Sequence, residues 1–116
     1  KGNRKDFPVN GKPRLSDIQM VVLVNGGSAS ASEIVAGALK DAGRAKIVGE
    51  KTFGKGTIQE AQELDSSGLH ITTARWLTPN GTWVNEKGLE PDVEIKDNPE
   101  TKEDEQLLEA IRLLEQ

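Results

Sequence analysis

The stretch VVLVNGGSASASEIVAGALKDAGRAKIVG, residues 21–49, decides the fold. With Met20 before it and Asn25 closing it, VVLV belongs to a continuous Val-rich apolar run, the pattern of a strand buried on both faces. Gly26 and Gly27 follow at once. ASEIVAGALKDAGR then places Ile34, Val35, Ala38 and Leu39 at helical spacing, and Gly43 supplies the stop. AKIVG, residues 45–49, predicts a second strand. Strand, glycine turn, helix and strand make a βαβ unit, whose crossover is expected to be right-handed. The fold class is therefore α/β.

Next in the chain stands GEKTFGKGT, residues 49–57, one residue short of the phosphate loop G-x-x-x-x-G-K-[ST]. Gly56 occupies the place of the Ser or Thr that would hold magnesium. TIQEAQEL begins with a β-branched alternation and runs into Asp65-Ser66-Ser67-Gly68, so a strand and hairpin turn are predicted where a phosphate loop needs a helix. Nucleotide binding is disfavoured accordingly. LHITTARWL predicts the next strand, Pro79-Asn80-Gly81 a tight turn into TWV, and GLEPDVEI a short edge strand with Pro91 near its start.

Residues 1–17 are polar and turn-rich and read as a leading loop or edge hairpin. Asn98-Pro99 marks a linker before DEQLLEAIRLLEQ, an amphipathic helix with Leu107, Leu108, Ile111 and Leu114 on one side, expected to be a packing element. The chain thus divides into a leading segment 1–17, a core 18–96, and a linker with helix 97–116.

Composition narrows the function classes. Of 116 residues only 34% are hydrophobic and 3% aromatic, so the core must be thin or shared with further chain. A net charge of −4 without a basic run argues against nucleic acid and anionic membrane as partners. The absence of cysteine excludes disulfides, thiol catalysis and thiolate metal sites. No apolar run reaches the length of a membrane span, and KGNRKDFPVNGKP has no signal-like apolar region.

The turn NGGSASASEI carries candidate chemistry. Two glycines let the backbone bend sharply, and a helix begins within a few residues, so its free amides face whatever fills the turn. Oxyanion holes are commonly built this way. Ser28, Ser30 and Ser32 are candidate nucleophiles. For Ser30 there is a structural alternative, because Ser30-x-x-Glu33 is a capping box. A nucleophile also needs a base. The single histidine, His70, lies in a strand pattern and reads as a cross-strand packing residue, which leaves lysine. For Lys55 to act near neutral pH its pKa must fall from about 10.4 to about 7–8, roughly 4 kcal/mol of differential solvation. Its sequence neighbours Phe53, Gly54, Gly56 and Ile58 are small or apolar and carry no carboxylate, a setting that would lower it. A surface charge is the competing reading.

At this point the residues resemble a known family. VVLVNGGSASASEIVAGALKDAGRAKIVGEKTFGKGTIQ, with the later WLTPNG and GLEPDVEI, is similar to the catalytic core of the carboxy-terminal processing peptidases, or tail-specific proteases. The resemblance implies a ClpP/crotonase-like core with a βαβ unit and a mixed sheet. It implies a Ser/Lys endopeptidase that cleaves near the C-termini of proteins. Ser30 of Gly27-Ser28-Ala29-Ser30-Ala31 would be the nucleophile and Lys55 of Thr52-Phe53-Gly54-Lys55-Gly56 the base. Gln59 would support the lysine, and the Ala31 amide would donate to the oxyanion.

No metal or cofactor is implied. Substrates would be extended protein tails added as β-strands, and a PDZ domain of the intact protein would capture their carboxylates. A homo-oligomer is admitted as the active state, and the location would be extracytoplasmic: periplasm, cell envelope or plastid lumen. Family members also carry a glycine-rich D-L-R-x-N-P-G-G stretch that supplies a second oxyanion donor. Neither this stretch nor a PDZ domain is found here, so the chain is expected to be the C-terminal part of a protease domain, weak or inactive alone. Losing one oxyanion donor typically costs about 10²- to 10³-fold in turnover. Two other functions remain on the same fold: a non-catalytic scaffold or substrate-binding fragment in which Ser30 only caps its helix, and an acyl-CoA-processing enzyme working through backbone amides.

Overall fold

The computed structural model describes residues 3, 4, 6, 8, 10–64 and 67–116. Seven elements follow in order: β1 (Val21–Val24), α1 (Ala31–Asp41), β2 (Lys46–Gly49), β3 (Thr57–Leu64), β4 (Ser67–Arg75), β5 (Val93–Glu94) and α2 (Glu105–Leu114). The described residues before β1 form no helix or strand. Residues 1, 2, 5, 7 and 9 of the leading segment lie outside the described residues, as do Asp65 and Ser66 of the expected hairpin turn.

β1 and β2 run parallel, with Val22 opposite Ile47 and Val24 opposite Gly49, and β5 adds to β2 in parallel. Parallel neighbours need a long crossover, and α1 is that crossover. It ends in a paired turn, Gly43 N–H donating to the Lys40 carbonyl and Arg44 N–H to that of Leu39, both at 2.9 Å. The Arg44 guanidinium then donates to the carbonyls of Leu15 and Ile18, holding the chain at 15–18 against this turn. Among the described residues β3 and β4 pair only with each other, antiparallel, with a register irregularity at Ile58/Gln59. The mixed sheet expected from sequence is thus two sheets, one parallel with order β1-β2-β5 and one antiparallel ribbon.

Strand alternation sends Val22, Val24 and Ile47 to one face, where they pack with Ala36 of α1 and with Leu89. The expectation that β1 is buried on both faces is corrected: Val24 is buried but Leu23 is 43% exposed. Among the described residues β1 stands at the edge of its sheet, with a paired neighbour on one side only. The inward face of α1 also differs from the one expected. Glu33, Ala36 and Gly37 are buried, whereas Ile34 and Val35 are exposed. The reason is close approach, because a β-carbon on Gly37 would stand 2.9 Å from Thr78 Cγ2 and a branched side chain has no room there.

α2 is capped by Asp104, whose carboxylate accepts the Leu107 amide at 2.9 Å, and it packs against β1 and β2 with Ala110 buried. Leu107, Leu108, Ile111 and Leu114 are each at least 40% exposed. A helix lying on so narrow a sheet covers one ridge, and small Ala110 occupies it. After the Thr78–Gly81 turn, closed by Gly81 N–H to the Thr78 carbonyl at 2.8 Å, TWV continues as irregular chain with Val84 buried. His70 lies opposite Ala61 on the exposed ribbon. No helix among the described residues is long and apolar enough to cross a membrane.

Candidate active site

Two loops at the ends of the parallel strands β1 and β2 meet beside the start of α1. The first, Asn25–Ser30, is fastened by its own side chains. Ser28 Oγ accepts the Asn25 amide at 3.1 Å, and Asn25 Oδ1 accepts the Gly27 amide at 2.9 Å. Ser28 is therefore committed to the turn. Ser30 ends the loop as the N-cap of α1 with φ 55° and ψ −112°, a positive φ without glycine's freedom. Such a conformation costs on the order of 1–3 kcal/mol and persists only where its surroundings hold it.

Glu33 supplies the hold. It is fully buried, and its two carboxylate oxygens collect four donors. Oε2 accepts the amides of Ser30 and Lys55, each at 2.9 Å. Oε1 accepts the Gly54 amide at 2.7 Å and the Thr52 hydroxyl. Burial alone would push the Glu33 carboxyl up, but the Thr52 hydroxyl and the Lys55, Gly54 and Ser30 amides outweigh it and hold the group below its ordinary value. The capping pair foreseen between Ser30 and Glu33 is in place, and its well-formed half is the carboxylate one. Ser30 and Lys55 are thus joined through one oxygen atom.

The second loop, residues 50–56, is pinned along its length. Phe53 N–H donates to the Ser28 carbonyl at 2.9 Å, Trp76 Nε1 to the Lys55 carbonyl at 3.0 Å and Trp83 Nε1 to that of Gly56 at 2.9 Å. Gly54 has φ 92°, and a β-carbon there would lie 2.7 Å from the Gly88 amide nitrogen, so only glycine fits. Thr52 ties this loop to the approach to β5: its amide donates to the Leu89 carbonyl at 3.2 Å, and its Oγ1 accepts the Leu89 amide at 2.7 Å.

Fixed backbone does not mean a dry side chain. Lys55 is exposed, as is Phe53 at 67% and Ile58 at 45%. The expectation of an apolar, carboxylate-free setting is corrected, since Glu33 contacts the Lys55 backbone directly. Neighbours in sequence misled because Glu33 arrives from the helix that precedes β2. Ala31 is the first helical residue, so its amide belongs to the turn whose N–H groups have no intrahelical partner. Gln59 lies on β3 opposite Thr72, exposed and immediately after the register irregularity. Ser32 is exposed on the first turn of α1. A groove of about 460 Å³ opens between β1 and the start of α1, lined by Leu23, Val24, Ser28, Ala31, Ser32 and Val35 among others.

Glu33, Thr52 and Trp76 were not singled out as site residues from sequence. For Glu33 a signal existed in the capping spacing, but spacing shows one bond where the fold makes four. Thr52 and Trp76 stand in the quoted stretches TFGKG and WLTPNG, but nothing local there points to the bonds they make.

Residues 1–95 match Peptidase family S41. The chain belongs to Peptidase family S41. Among relatives in that family, it is 47% identical over 95 residues to the carboxy-terminal processing protease CtpB of Bacillus subtilis, covering 81% of this chain and 18% of that protein. It is 50% identical over 95 residues to the chloroplastic C-terminal processing peptidase of Tetradesmus obliquus, covering 81% and 20%. The chain therefore spans about a fifth of the length of these curated relatives. Among solved structures, the photosystem II D1 C-terminal processing protease matches with a TM-score of 0.67 and 48% identity, over 87% of this chain and 26% of that one. The tricorn protease matches with a TM-score of 0.71 and 27% identity, over 84% and 10%. α2 lies beyond the residues matched to the S41 family.

Proposed function

We propose that the protein to which this S41 segment belongs is a serine endopeptidase that cleaves near the C-termini of protein substrates, with Ser30 and Lys55 as its reactive pair. The observation that carries the reading is the shared Glu33 oxygen, which ties the backbone of a strained serine at a helix N-terminus to that of a lysine on the neighbouring loop. Ser30 Oγ attacks the scissile carbonyl carbon while its proton passes to Lys55 Nζ. The Ala31 amide, at the positive end of α1, donates to the oxyanion. Lys55 then gives the proton to the leaving amine, and a water molecule deprotonated by Lys55 cleaves the acyl ester. Gln59 orients the lysine.

For Lys55 to be neutral at work it must lose water contact, and bound substrate together with the remainder of the protease domain supplies that cover. The outer edge of β1 has no partner among the described residues, which favours recognition of an extended tail by strand addition. In this reading residues 18–96 belong to a ClpP/crotonase-like protease core, preceded by the segment 1–17 and followed by the linker and helix 97–116. A PDZ domain of the intact protein captures the terminal carboxylate, a homo-oligomer is the assembly to look for, and the location is extracytoplasmic. The chloroplastic name of the Tetradesmus relative favours a plastid placement among such sites.

The test uses the full-length protein with a fluorophosphonate probe and a peptide ending in a free carboxylate. Labelling at Ser30 and cleavage are expected, both lost in Ser30→Ala and cleavage lost in Lys55→Ala. Cleavage that persists in either variant would refute the pair.

A further inference from the structure

We infer that Glu33 is a positioning residue for the reaction, holding the Ser30 elbow and the Lys55 loop in register; this rests on the Ser30/Lys55 reading above. Its carboxylate is fully buried and every donor around it comes from one of the two loops. At Oε2 the donors are the amides of the proposed nucleophile and the proposed base. At Oε1 they are the amide before the base and the Thr52 hydroxyl, which itself accepts from Leu89. A carboxylate offers about four acceptor sites, and all four are engaged. The two loops share no strand pairing and are held by this side chain and by the Phe53 amide on the Ser28 carbonyl; of these two ties the carboxylate is the one that contacts both Ser30 and Lys55.

The chemistry of the group matters as well as its shape. An amide side chain of the same size presents one oxygen and one NH₂. Placed at the Oε2 position, the NH₂ would face two backbone N–H groups, neither of which can accept. Placed at the Oε1 position, it could be accommodated only if the Thr52 hydroxyl turned to accept, and the Gly54 amide would still lose its partner. Either way a buried donor beside Lys55 goes unsatisfied. Relaxing that strain moves the lysine relative to the serine, and a displacement of about 1 Å can cost on the order of 10²-fold in rate.

Purely structural and positioning roles separate in a simple measurement. In the full-length protein, the serines that react with excess fluorophosphonate are counted, and kcat per reactive serine and KM are measured for wild type and Glu33→Gln. Positioning predicts that Glu33→Gln lowers kcat per reactive serine about tenfold or more with KM within about twofold. A structural role alone would reduce the number of reactive serines and leave turnover per serine intact, which overturns the inference. Should Glu33→Gln fail to fold, Thr52→Val removes one donor to the carboxylate without touching Ser30 or Lys55. Its kcat per reactive serine is expected to fall severalfold at constant KM, and an unchanged value overturns the inference. A wild-type protein that neither labels at Ser30 nor cleaves would remove the underlying reading and the inference together, whereas an active wild type with an equally active Glu33→Gln removes only the inference.

Discussion

Ser30 and Lys55 donate their backbone N–H groups to the same oxygen of Glu33, each at 2.9 Å, although α1, β2 and the turns beside them separate the two in the chain. The two amides accordingly lie within twice a hydrogen-bond length of each other. The two residues therefore share a common anchor in one carboxylate, beside the bond from the Phe53 amide to the Ser28 carbonyl that also joins the two loops.

Lys55→Arg tests the base without altering charge. A guanidinium stays protonated at any working pH, so it cannot take the serine proton. Cleavage by the full-length protein is expected to fall by about 10²- to 10⁴-fold. The thermal midpoint should stay within about two degrees because the side chain is exposed and its backbone bonds are unchanged. A variant with near wild-type turnover would exclude proton transfer to Lys55.

Stability should fall on acidification in a way that depends on Glu33. Its carboxyl is held below the ordinary value of 4.5, and that of Asp41, bonded by the Thr78 hydroxyl and the Asn80 amide, below 3.8. A depressed folded pKa gives stabilisation that is fully present above the unfolded value and is lost as pH drops through the folded one. Urea midpoints between pH 7 and pH 3 should therefore decline from about pH 4.5 downward. Glu33→Gln should be less stable at pH 7 and show a shallower decline. Parallel curves for the two proteins would show that the carboxylate contributes nothing through its charge.

Gly54→Ala should destabilise the protein through backbone conformation and crowding. With φ at 92° and the Val84 carbonyl 3.0 Å from the added carbon, the loop must shift. A cost of about 1–3 kcal/mol in denaturant unfolding is expected, with a fall in turnover because Gly54 adjoins Lys55. A neutral effect on both would mean that the loop has another conformation of equal energy.

Asp104→Ala removes the side-chain acceptor for the Leu107 amide at the start of α2. The loss should be about 1 kcal/mol in unfolding free energy, and Asp104→Asn should recover most of it. Equal losses in the two variants would assign the effect to charge at the helix end.

The parallel βαβ unit was legible because its signals are local and agree with one another: an apolar Val-rich run, a glycine pair, a 3.6-residue pattern stopped at Gly43, and a second apolar run. The ribbon β3–β4 was legible for the same reason, through β-branched alternation on both sides of a turn. Burial was less so. Ile34, Val35 and Leu107 have the right period for a buried face, yet Gly37 and Ala110 take the contacts, since the nearest approach between elements goes to the smallest side chains.

Order along the chain determined the α/β class, the helix start at Ser30 and the motifs whose family resemblance singled out Ser30 and Lys55 as candidates, where residue type alone left Ser28, Ser30 and Ser32 open. These depend on bonds within a few residues or on the residue types themselves. Only tertiary structure decided that Glu33 joins the two loops, that Trp76 and Trp83 clamp the lysine segment, and that the Lys55 side chain meets water. A buried carboxylate can be balanced only by donors that the fold brings from distant segments, and no spacing in a linear chain specifies which those will be.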